Sequence, residues 1–263
     1  MFDDADFDNS SSQFKCLISA AVDVSDKSGG IQTSTLGIEA TKIYTRLTLS
    51  AMTIEKVLPN NSKLWDFPSI AILTRSFVET THRHCYLAET DLTEDEETFR
   101  RKLYFYHLNM EKFRLYSAQP EHETLTSFKE ALPRAKKELE ELPFFSTLSK
   151  YFQNKIISGN TDMHISDEVI AKNSGLITEN YSFYYRLLSN HSHGSPFATT
   201  SQSNVRGRGF KNDTEPFYIT LALQILNKYL SYVIQQQVRL LSLESKCKTS
   251  MAFAKDTYEK SAI

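Results

Sequence analysis

Apolar residues recur along most of this chain at spacings of three and four, the period of a helix with one buried stripe. Ile43, Leu47, Ala51, Ile54 and Leu58 predict a helix from about Thr35 to Leu58, stopped by Pro59-Asn60-Asn61. Ile70, Leu73, Phe77, Thr81, His84 and Ala88 predict a second from about Pro68 to Glu89, with proline in the first turn, where its missing N–H leaves no bond unmade. Thr93 and Glu96 form a capping box, and the acidic turn they open suits the helix dipole. The helix that follows carries Phe99, Leu103, Tyr106, Met110 and Phe113 and ends near Ala118. Leu125, Phe128, Leu132, Ala135, Leu139 and Leu142 continue the pattern, and Pro133 is expected to kink or split that segment. Phe144, Leu148 and Phe152 begin a further piece that closes at Ser158-Gly159-Asn160, and a short helix ends near Asn173.

The stretch from Tyr181 to Pro196 concentrates aromatics, an arginine and two histidines ahead of a helix stop at Gly194 and Pro196. As a helix it has two faces: Tyr184, Leu187, Leu188 and His191 on one, Arg186, Asn190 and His193 on the other. Residues 194–213 predict a long loop in which Arg206, Arg208 and Lys211 alternate with glycines, three cations on a backbone able to approach a phosphate. Pro216 then opens a helix, apolar almost all round, through Phe217, Leu221, Leu226, Leu230 and Ile234. Residues 1–34, rich in Asp and Ser, read as a mobile N-terminal arm with one short helical turn, part of which can dock because Phe14, Leu17, Ile18 and Ala21 fall at helical spacing; residues 245–263 read as a frayed tail. The predicted architecture is therefore all-α, a multi-helix bundle over residues 35–244 with a long apolar C-terminal helix.

Composition agrees with helices: 8 Gly and 7 Pro in 263 residues leave few turns to join strands. A net charge of −2 gives no global basic field, so any nucleic-acid site must be local. Cys16, Cys85 and Cys247 form no paired motif and read as reduced thiols of a cytoplasmic protein. The acidic N-terminus is unlike a secretory signal, and the stretch from Phe217 to Ile234 is interrupted by Gln224, Asn227 and Lys228, so no membrane association is expected.

Candidate chemistry gathers on two helices. Arg75, Glu79, His82 and Tyr86 stack in a column at spacings of four, three and four, either a solvated face or a buried pair in need of partners. His193 sits at the end of its helix, where the dipole favours a protonated imidazole. Asp162, His164, Asp167 and Glu168 lack an informative ligand spacing, and His191 and His193 would point nearly oppositely on a helix; no metal or cofactor is predicted.

Two segments carry resemblances. RSFVETTHRHCYL and SGLITENYSFYYRLLSNHSHGSP resemble the Arg-x-x-x-Glu and Tyr–Ser–His segments of an uncharacterised bacterial family of helical proteins, with Ser189-x-x-x-His193 matching its spacing, over roughly residues 35–240. The run from Arg186 to His191 and His193 also resembles, more loosely, the Arg-x4–6-His signature of the HEPN superfamily, although Leu187 stands where active members usually carry a polar residue. That resemblance implies a HEPN-like fold and a metal-independent endoribonuclease of a bacterial defence or toxin-type system, with an antitoxin or other protein as partner. Such a site would use His193 as base or acid, Arg186 on the phosphate and Asn190 as orienter. Arg75, Glu79, His82, Tyr185, Ser189 and His191 would support them, and Arg206, Arg208 and Lys211 would hold the RNA. Strand cleavage by the 2′-hydroxyl needs a base, an acid and a cation, more than one His and one Arg supply, so a homodimer with a composite cleft is expected. Two other readings stand beside it: a non-catalytic bundle in which the Arg, Glu and His residues form a structural polar network, and recognition of a nucleotide without cleavage.

Overall fold

The computed structural model describes residues 4–59, 64–119, 125–176, 181–200, 209–212 and 214–261; these hold twelve helices and no strand. In place of one bundle flanked by an arm and a tail, they gather into two compact units: residues 34–36 and 89–166, and the remainder of the chain.

The larger unit contains α1 (Asp4–Ser28), α2 (Thr35–Val57), α3 (Phe67–Leu87), α8 (Asp167–Asn173), α9 (Tyr181–Ser192), α10 (Pro196–Thr200), α11 (Glu215–Leu240) and α12 (Lys248–Lys260). The expected mobile arm is the 25-residue helix α1. Its Asp residues and most of its Ser residues stay outside the buried face, while Phe7, Phe14, Leu17, Ala21 and Val24, with Ser10 and Ser28 among them, form a buried stripe that packs on α11. The expected frayed tail is α12, which packs on α1 and α11 through buried Ser250, Ala254 and Thr257. In α1 the burial of an apolar stripe against a neighbour outweighed polar composition, and in α12 small residues allow close approach while Ser250 Oγ donates to Asp23 Oδ2 at 2.7 Å.

Helix α11 is central, but not because it is apolar all round, and α12 rather than α11 is the last helix. Glu215, Asn227, Lys228, Gln235 and Gln237 lie among its buried residues. Glu215 Oε2 accepts from the Phe67 amide at 3.0 Å, Asn227 Nδ2 donates to the Ser10 carbonyl at 3.0 Å, and Gln237 Nε2 donates to Thr41 Oγ1 at 3.0 Å. These buried hydrogen bonds tie α11 to α1, α2 and α3. No helix among the described residues is long and apolar enough to cross a membrane.

The smaller unit holds α4 (Glu94–Ser117), α5 (Leu125–Glu140), α6 (Pro143–Thr147) and α7 (Lys150–Ile157) around Phe99, Leu103, Tyr106, Leu132, Leu139, Phe145 and Ile156. Helix α5 continues through Pro133 instead of splitting there. Pro133 and Lys129 are both exposed, so the carbonyl deprived of its donor can turn to water. The piece expected over 144–158 is two helices, because Ser149 caps α7 by accepting from the Phe152 amide at 3.4 Å. Arg114 closes the end of α7, donating to the carbonyls of Ser158 at 2.8 Å and Gly159 at 3.0 Å. Thr93 Oγ1 accepts from the Glu96 amide at 3.2 Å, as the capping box predicts. Thr93→Ala is expected to destabilise the protein by about 1 kcal/mol and Thr93→Ser by much less, read from urea unfolding midpoints.

Candidate functional site

Helices α3 and α9 run antiparallel, since Arg75 near the start of α3 meets the end of α9 and His82 meets its beginning. On α9 the polar stripe facing α3 recurs every fourth residue: Tyr181, Tyr185, Ser189 and His193. Leu187, Leu188 and His191 are buried on another face, and Arg186 and His193 are exposed.

Arg75 is the hub. Its Nε donates to Glu79 Oε1 at 3.0 Å, its Nη2 to the Tyr185 hydroxyl at 3.1 Å and its Nη1 to Ser189 Oγ at 2.6 Å. The same Nη1 lies 3.2 Å from His193 Nε2. An arginine only donates, so in this contact Nε2 carries the lone pair and the ring proton sits on Nδ1. Tyr185 closes a ring by donating to Glu79 Oε1 at 3.3 Å, and its aromatic face lies under the guanidinium, 5.0 Å from Arg75 Cζ. The Arg75 side chain is 15% exposed. Burial opposes its charge, but the Glu79 carboxylate and Tyr185 hold it above the ordinary arginine value. Burial pushes the Tyr185 phenol up, against the pull of Arg75.

One turn deeper the column changes character. His82 is fully buried; its Nδ1 donates to Asp167 Oδ1 at 2.9 Å and its Nε2 lies 3.3 Å from the Tyr229 hydroxyl. The ring of Tyr181 stacks on Tyr185 at 5.7 Å and meets His82 at 6.2 Å. Burial, then the Asp167 carboxylate, raises the Tyr181 phenol, and burial above all raises Tyr229. These phenols stay protonated, and the Tyr229 hydroxyl faces His82 Nε2 as a donor.

Family comparison bears on this pair of helices. The chain matches the model of a family of unknown function, DUF5677, over residues 48–208, more than half its length. It is a DUF5677 protein. The matched region includes the whole of α3 and α9, and with them every side chain that touches Arg75. No curated protein and no solved structure matches the chain.

In this DUF5677 protein the residues singled out from sequence are dispersed in part. Arg75, Glu79, Tyr185, Ser189 and His193 converge, whereas Arg186 makes no polar contact among the described residues. Asn190 turns to α10, its Oδ1 accepting from Ser195 Oγ at 3.0 Å. His191 packs edge-on against Phe67, ring centroids 4.9 Å apart. Leu187, the position after Arg186, is buried, which gives an apolar residue there a packing reason. Arg206 and Arg208 fall outside the described residues. Lys211 pairs with Asp4 at 2.5 Å and lies over the Trp65 ring, and neither contact reaches Arg75. His164 lies near Glu96 and Asp167 bonds His82; among the described residues no group of three His, Cys, Asp or Glu is placed to hold a metal. Asp167, Tyr181 and Tyr229 went unrecognised as members of the column, although the four-residue repeat from Tyr181 to His193 was a usable signal.

Proposed function

We propose that the Arg75–His193 pair is the working centre of a metal-independent, HEPN-like endoribonuclease, with Arg75 rather than Arg186 as the phosphate clamp. The observation that carries this reading is an exposed imidazole within 3.2 Å of a guanidinium that Glu79 and Tyr185 hold in place. A phosphate oxygen of RNA takes the position that His193 occupies beside Arg75 Nη1, which frees Nε2 to accept a proton. The 2′-oxygen then attacks phosphorus while His193 removes its proton, the bond to the 5′-oxygen breaks, and that oxygen leaves with a proton from an acid. A 2′,3′-cyclic phosphate and a 5′-hydroxyl result. One imidazole serves as base or acid but not both at once, so the second comes from the partner in a two-fold homodimer.

A second reading has an observation of its own. Four of the five guanidinium N–H groups of Arg75 are engaged within the fold, as they would be in a polar lock that fixes α9 to α3 without reacting with anything. Incubating the purified protein with a mixed RNA pool in EDTA separates the two, with oligomeric state measured by light scattering on the same samples. Cleavage leaving cyclic phosphate ends supports the nuclease; a folded protein that leaves the pool intact overturns it in favour of the lock.

A further inference from the structure

Beyond the Arg75 cluster, α9 presents a second stripe to solvent. Phe183, Arg186, Asn190 and His193 follow one another at spacings of three, four and three, so they share a face, and Phe197 on α10 is exposed just beyond the turn that ends this stripe. Phe183 is 59% exposed and Phe197 55% exposed, large apolar rings that the described residues leave open to solvent over more than half their area. Between them lie an exposed arginine with no polar contact among the described residues, a half-buried amide and the exposed histidine that touches Arg75. The order along the chain is ring, cation, amide, imidazole, ring.

Phe197 is not loosely placed. The chain turns at Gly194 with φ +55°, a conformation that favours glycine. Ser195 then bonds back to α9 twice: its amide donates to the Asn190 carbonyl at 3.3 Å and its Oγ to Asn190 Oδ1 at 3.0 Å. Ser195 Oγ also accepts from the Ala198 amide at 3.3 Å, tying the first turn of α10 to the same point. Asn190 thereby sets where Phe197 stands relative to His193. At the rise of an α-helix, Phe183 lies about 15 Å along the axis from His193, a reach of roughly four stacked nucleotides.

We infer that Phe183 and Phe197 are base-stacking positions, and that this face binds an unpaired nucleic-acid strand with its phosphates toward Arg186 and Arg75. The inference rests on the reading of the Arg75–His193 pair as a phosphodiester site and adds the substrate's form. Exposed aromatic faces take bases only when these are free of a duplex, and a cation set between two such rings suits the phosphates that join stacked bases. The chemistry proposed for the pair makes the same demand, because a 2′-oxygen reaches the line of the leaving 5′-oxygen only where the backbone is free to bend.

The test is binding of a fluorescent 2′-deoxy oligonucleotide, which cannot be cut through a 2′-hydroxyl, to the full chain, single-stranded and annealed to its complement. The single strand is expected to bind at least about tenfold tighter than the duplex; Phe183→Leu and Phe197→Leu should each weaken it about tenfold, and Phe→Tyr at either site should retain it. Equal binding of strand and duplex, leucine variants that bind as well as the parent, or no binding at all overturns the inference. So does a leucine variant that changes oligomeric state while binding the strand unchanged, since the stripe is then a contact between copies of the chain. Retained stacking behaviour in a protein that does not cut RNA would sink the nuclease alone, so the two failures are distinguishable.

Discussion

His193→Ala is expected to lower RNA cleavage by about 10²- to 10⁴-fold while shifting the free energy of unfolding by less than ~0.5 kcal/mol. The asymmetry follows from position. His193 is exposed at the end of α9, so its removal opens no cavity and strands no buried group. Arg75→Ala is expected to abolish cleavage too, but with a loss of about 2–3 kcal/mol in stability, because Glu79, Tyr185 and Ser189 all lose the donor they share. Urea unfolding beside single-turnover cleavage resolves the pair. If His193→Ala cuts RNA like the parent, the imidazole has no part in the chemistry; if Arg75→Ala is as stable as the parent, the cluster does not lock the helices. Under the structural reading neither parent nor variant cuts RNA, and Arg75→Ala alone loses stability.

Acidification is expected to destabilise the protein between about pH 6.5 and pH 4. Burial holds His84 down to about 4, with Gln237 partly opposing, and burial together with Arg100 holds His164 down to about 4. In the unfolded chain both rings take a proton near pH 6.5, so between the two values the unfolded state binds more protons. The stabilisation is complete above pH 6.5, declines as pH falls and levels off below about 4, by about 3 kcal/mol for each ring. The two histidines belong to different units, so each has its own consequence. His84→Gln keeps a donor toward Gln237 without titrating and should flatten the pH dependence of the unit that contains α3; His164→Gln should do the same for residues 89–166. Unfolding midpoints at pH 7 and pH 4.5 that coincide for the parent protein would show that neither ring is held neutral by the fold.

The helices α2, α3 and α4 were legible to within a residue or two, because each combines a dense stripe with an end signal: Pro59, Pro68, or Thr93 with Glu96. Helices α1 and α12 were not, since their stripes are thin and their partners lie far away in sequence; Gln13 and Thr257 touch across 244 positions. At the site, the faces of α9 could be computed from spacing alone, and so could the column of Arg75, Glu79 and His82. Which arginine meets His193 could not. Arg186 shares its helix, but Arg75 reaches it from another element, and the antiparallel pairing of α3 with α9 is fixed by packing that no local spacing encodes. Asp167, whose spacing to its neighbours carries no ligand pattern, is the acceptor for a buried imidazole, a long-range role with no local mark.

The packing of α1 on α11 and α12 sets an order on the birth of this molecule. At ribosomal speeds the roughly 190 residues separating α1 from α11 take about 10–40 s to add. Throughout that interval Phe7, Phe14, Leu17 and Val24 have been synthesised but the surfaces that cover them have not. Helix α1 must therefore wait for α11 and α12, so the larger unit closes only once α12 has been made, and until then the stripe of α1 is an uncovered apolar surface on a growing chain.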